Sequence, residues 1–83
     1  MKTKVYRVMV TVGRKRMVVF ESFPFFENDG TADMNAFHDA REARETECMK
    51  LWKDGFCVDT QFGITNRANG HRVGRVELER CTK

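Results

Sequence analysis

Between Lys4 and Val12 the apolar positions alternate, with Tyr6, Val8, Val10 and Val12 on one side of an extended chain and Arg7, Met9 and Thr11 on the other. A period of two is that of a half-buried strand. Gly13-Arg14-Lys15-Arg16 interrupts the pattern and Met17-Val18-Val19-Phe20 resumes it, which predicts a β-hairpin closed by a short basic loop. Pro24 has no amide to donate, so the second strand ends there or lies at a sheet edge. Phe25 and Phe26 are expected to begin a turn away from the sheet, completed by Asn28-Asp29-Gly30.

The period then lengthens to that of a helix, and its start has two candidates. Asp33 could cap a segment through Met34 and Phe37, but Asp39-Ala40-Arg41-Glu42 has the form of a capping box, which favours a main helix from about Ala40 to Lys53. Gly55 is its expected left-handed stop, with Lys50 and Lys53 opposing the negative end of the dipole. Ala40, Ala43, Glu47 and Leu51 form one stripe, and the small alanines let the helix lie close on a sheet.

Phe56 to Ile64 reads as a single strand, with Phe56, Val58, Phe62 and Ile64 alternating against Cys57, Asp59, Gln61 and Gly63. Asn69-Gly70 signals a tight hairpin turn. A two-residue turn there would set Ile64 against Arg75. An extra residue near Gly74, as in a bulge, or a three- or five-residue loop, brings Ile64 opposite Val76 and Phe62 opposite Leu78. The prediction is a single α+β domain, an antiparallel sheet of four or five strands in ββαββ order with one helix on one face.

Eighty-three residues suffice for one modest core. No apolar run approaches the roughly 18–20 residues of a membrane span, and the alternating start is unlike a signal peptide. Cys48, Cys57 and Cys81 are odd in number, which favours reduced thiols in a cytosol over disulfide pairs. Their separations of 9 and 24 match no usual zinc pattern, there is no glycine-rich phosphate loop, and Glu42, Glu45 and Glu47 spread around their helix. No cofactor, metal site or catalytic set is therefore expected.

Charge is distributed unevenly around a net +3. Residues 1–20 carry six bases and no acid, residues 21–54 nine acids against four bases, and residues 55–83 five bases against three acids. Such polarity steers a molecule toward an anionic partner. The candidate contact residues are Arg14, Lys15 and Arg16 on the first hairpin, and Arg67, Arg72 and Arg75, with His71, around the second. Phe25 and Phe26 either close an end of the core or contact a partner. If the helix rises directly from the second strand, the two hairpin turns fall at opposite ends of the sheet. If the linker crosses the sheet first, they share one end.

The basic "VTVGRKRMVVF" hairpin, the "DAREARETECMKLWKDGF" helix and the closing "FGITNRANGHRVGRVEL" hairpin together resemble small single-domain inhibitors encoded by phages and mobile elements, among them type I anti-CRISPR proteins. The resemblance rests on size, element order and charge. It implies a non-enzymatic protein, monomer or homodimer, that covers a working surface of a host protein or nucleoprotein complex. The alternative is a small basic protein that contacts DNA or RNA phosphates through its hairpin tips. Neither involves a membrane.

Overall fold

The computed structural model describes residues 2–83. One antiparallel sheet carries a single long helix, α1 (Gly30–Lys53), on one face. The strands are β1 (Thr3–Val12), β2 (Lys15–Glu21), β3 (Phe25–Phe26), β4 (Phe56–Val58), β5 (Gly63–Asn66) and β6 (Arg72–Thr82). They are arranged β2-β1-β6-β5-β4, with β3 also on β1. The α+β class and the antiparallel sheet are as expected, with six strands in place of four or five.

The first hairpin forms where alternation placed it, closed by Gly13 and Arg14 alone, with Gly13 at φ 60°. Lys15 and Arg16 thus belong to β2 and not to a loop. A bulge opposite Val8 and Met9 leaves Val19 as the extra residue. After Pro24 the chain does not turn away from the sheet, because Phe25 and Phe26 pair with Lys4 and Thr3. Buried Ser22 bridges the interruption: its amide donates to Tyr6 O and its hydroxyl accepts from Tyr6 N, both at 2.8 Å.

The helix begins ten residues before the expected Ala40. Asp29 is the N-cap, its carboxylate accepting from Ala32 N at 3.1 Å, and the Asp39–Glu42 box lies inside a continuous helix. Burial explains the choice. Ala36 is fully buried one turn before Ala40, and Phe37 meets the Tyr6 ring edge-on at 5.4 Å, so the earlier turns gain contact with the sheet. Asp33 then accepts from the Tyr6 hydroxyl and pairs with Arg80 at 3.0 Å, fastening the helix start to β1 and β6. At the other end Gly55 is left-handed as expected, at φ 97°.

The segment from Phe56 to Ile64 is two strands and not one. Asp59 Oδ1 accepts from Gln61 N at 2.8 Å and Gly63 N at 2.9 Å, and Phe62 adopts φ 62°, which reverses the chain between β4 and β5. The closing hairpin differs too. Asn69-Gly70 ends a four-residue loop, residues 67–70, instead of forming a two-residue turn. The extra residue is Val73, beside the expected Gly74, and Ile64 faces Gly74 and not Val76. Ile64 and Val76 nonetheless share the core with Val8, Val10, Ala40 and Leu51.

The other face is polar but not bare. Val5 and Met9 are buried there, under a lattice in which Glu21 joins Arg7 and Lys83, and Glu77 joins Arg16 and Arg75. Among the described residues no helix is long and apolar enough to cross a membrane.

Candidate binding surface

The two hairpin tips lie at the same end of the sheet. Val12 pairs with Gly74 and Gly13 N donates to Val73 O at 2.8 Å, so the first tip stands beside the start of β6, just after the second loop. The helix rises directly from β3, a path that alone would have separated the tips. The unforeseen reversal at Asp59–Phe62 sends β5 back and reunites them. The helix C-terminus joins the same end, because Arg67 N donates to Gly55 O at 3.0 Å and Arg67 Nη2 to Trp52 O at 2.7 Å.

The predicted cations divide into two groups. The Arg14 and Lys15 side chains are exposed and make no ion pair or hydrogen bond among the described residues. Arg67 is held, its guanidinium 3.9 Å over the exposed Trp52 ring. Arg16 folds onto the polar face, 3.3 Å from Met9 Sδ and 3.9 Å from Glu79. Arg75 pairs with Glu77 at 2.9 Å. Arg72 lies over Gly63: a Cβ built there would be 2.7 Å from its Cζ and 2.9 Å from Asp59 Oδ2. The outward-facing positive charge not taken up in an ion pair is thus carried by Arg14, Lys15, Arg67 and Arg72, with Lys53 in the last turn of α1.

The phenylalanines do not join this rim. Phe25 is 3% exposed, stacked on Tyr6 at 5.6 Å, with the Arg80 guanidinium 5.6 Å from its ring centroid. Phe26 is 54% exposed, but it pairs with Thr3 at the opposite end of β1. Phe25 is therefore a core ring, and Phe26 is an exposed ring remote from the basic tips.

A surface that sequence reading passed over adjoins the rim. Cys48, Met49, Trp52 and Lys53 of α1 and Cys57 and Val58 of β4 line a mainly apolar groove of about 410 Å³. Met49 and Trp52 lie outside the buried stripe of Ala36, Ala40 and Leu51. Two large apolar side chains three residues apart, off the core stripe, were the available signal. Burial pushes the Cys48 thiol pKa up, against the opposing charge of Arg44. Arg44 itself lies in the helix–sheet seam, its guanidinium 4.0 Å over Phe62.

The titration shifts elsewhere follow from structural pairing. Glu21 is held below the ordinary carboxylate range by Arg7 and Lys83, and Asp59 by the amides of Gly63 and Gln61. No group of three metal-ligating side chains occurs among the described residues. No protein-family profile, curated protein or solved structure matches the chain.

Proposed function

We propose that this chain is a non-enzymatic binding protein of a host cytoplasm that works by occlusion, setting its basic end against an acidic surface of a larger complex. The reading keeps the likeness to small phage-encoded inhibitors of the anti-CRISPR kind. One observation carries it: two hairpin tips far apart in sequence stand at one end of the sheet, with Arg14 and Lys15 unpaired among the described residues. Charge placed there guides encounter and fixes orientation, and the Trp52–Arg67 stack beside it is of the residue types that anchor protein interfaces.

A protein partner is favoured over nucleic acid by two features. The surface next to the rim is an apolar groove with Met and Trp walls, and the arginines of the polar face are neutralised by Glu21, Glu77 and Glu79. The test is affinity capture from host lysate with wild-type protein and the Arg14→Glu/Lys15→Glu double variant. A stoichiometric complex weakened tenfold or more by the double variant, about 1.4 kcal/mol, is expected. Recovery of no specific partner by wild-type protein would overturn it. Steeply salt-dependent binding to DNA or RNA in fluorescence anisotropy would favour the nucleic-acid alternative instead.

A further inference from the structure

The two edges of the sheet are unequally protected. At one edge β2 carries Lys15 and Arg16, a bulge at Val19, and Pro24 beyond its end, all features that discourage another strand from pairing. At the other edge β4 is Phe-Cys-Val, with no charge, proline or bulge. It is protected only by being short.

The hydrogen-bond pattern identifies what that edge offers. Asp59 N donates to Gly63 O and Arg67 N to Gly55 O, so Gly55, Cys57 and Asp59 face β5. The intervening Phe56 and Val58 direct their N–H and C=O groups outward, and neither has a backbone partner among the described residues outside the strand. Alongside runs the apolar groove, walled by Met49 and Trp52 of α1 and bordered by Cys57 and Val58. An open strand edge supplies main-chain hydrogen bonds, and a pocket beside it selects a side chain; together they make a site for strand addition.

We infer that β4 and the groove receive a short extended segment of the partner protein, which adds a strand to Phe56–Val58 and inserts one apolar side chain between Met49 and Trp52. The segment is acidic next to that side chain. The one charged residue lining the groove is Lys53, and the Arg67 guanidinium is stacked on its Trp52 wall. The inference rests on the occlusion reading above and names the chemistry that the partner must present.

Trp52 is the only tryptophan, so its emission reports on the groove directly. The probe is a set of heptapeptides with Leu, Ile, Val, Phe or Met at the centre and Glu at one or both flanks, each paired with a copy N-methylated along one backbone edge. At least one member should shift Trp52 emission saturably with a dissociation constant below about 1 mM, and its N-methylated copy should not. Hydrogen exchange should then slow at the Phe56 and Val58 amides but not at Cys57, which already faces β5. Lys53→Glu should weaken the acidic peptides about fivefold, the upper range for an exposed ion pair.

If no member binds at several millimolar, or if N-methylated copies bind equally, the inference is wrong. The peptides engage the groove and not the hairpin tips, so their binding is read separately from partner capture. A groove that takes no peptide while wild-type protein still captures its stoichiometric partner therefore overturns strand addition alone. Peptide binding without any captured partner counts against the occlusion reading instead.

Discussion

Replacing Gly74 by alanine should cost about 3 kcal/mol of stability or more, although the change adds one methyl group. Gly74 faces Val12 of β1 on one side and Ile64 of β5 on the other, where the three strands that support the basic end converge. Its backbone is not left-handed; the restriction comes from space alone. A Cβ there would overlap the Thr11 carbonyl oxygen and lie 2.7 Å from its carbon and 3.1 Å from Val12 Cα. Those are backbone atoms of the β1–β6 ladder, so no side chain can rotate to make room. Overpacking a core costs about 1–3 kcal/mol, and a clash with backbone belongs at or above the top of that range. Against a total of about 5–15 kcal/mol for a domain, a loss of ~3 removes a large share. With a urea slope near ~1 kcal/mol/M for a chain this small, the midpoint should fall by about 3 M in Trp52 fluorescence or circular dichroism. Gly30→Ala is the matched control. Nothing lies within 4 Å of a Cβ there, and Gly30 opens the helix, so stability should hold or rise by up to about 1 kcal/mol. Equal midpoints for Gly74→Ala and wild type would refute the close approach of β6 to β1, and with it the adjacency of the two tips.

Two further outcomes test other parts of the fold. Tyr6 is the only tyrosine, and its pKa is raised above 10.0, first by burial and then by its hydrogen bond to Asp33 and that carboxylate's charge, against Arg80. A group whose folded pKa is raised contributes stability fully present below its unfolded pKa, about 10, and lost as pH rises through the folded value. Phenolate absorbance should therefore titrate above the free tyrosine, and Asp33→Asn should bring it back part of the way; a Tyr6 titrating normally would remove the helix-start clasp. Alkylation followed by mass spectrometry should modify exposed Cys57 first and Cys48 last, since burial both shields the Cys48 thiol and raises its pKa. Equal rates would contradict the packing of α1 on the sheet.

The parts of this fold that could be read from sequence are those decided by neighbours in the chain. Alternation through Val12, the Gly13 turn and the Gly55 helix stop are local events, and each formed where its residues indicated. The helix start was decided by tertiary contact. Asp29 and Asp39 both have capping chemistry, but only the earlier start brings Ala36 and Phe37 against the sheet and Asp33 to Tyr6. The reversal within Phe56–Ile64 was hidden for a geometric reason. Val58 pairs with Ile64, so even-numbered residues face even-numbered residues across the hairpin. The same alternation then fits one straight strand or two folded ones. The turn is made by a left-handed Phe62 and the Asp59 carboxylate, without the glycine or proline that usually marks it.

That hidden reversal determines what the candidate surface can be. With a straight strand the basic tips would stand at opposite ends of the sheet, each a separate, ordinary loop. With the strand folded, the second loop is brought back beside the first, Arg67 reaches Trp52, and β4 becomes an edge next to the exposed side of the helix. Rim and groove are therefore consequences of one turn, and they should be lost together. Replacing Asp59 with alanine removes both carboxylate contacts to the turn amides, leaving the turn to its two backbone bonds and leaving every cation and groove residue in place. If the variant remains folded by circular dichroism, it should still lose both partner capture and the Trp52 response to peptide. Retention of either by a variant whose β4–β5 amides exchange freely would show that the surface does not depend on the reversal.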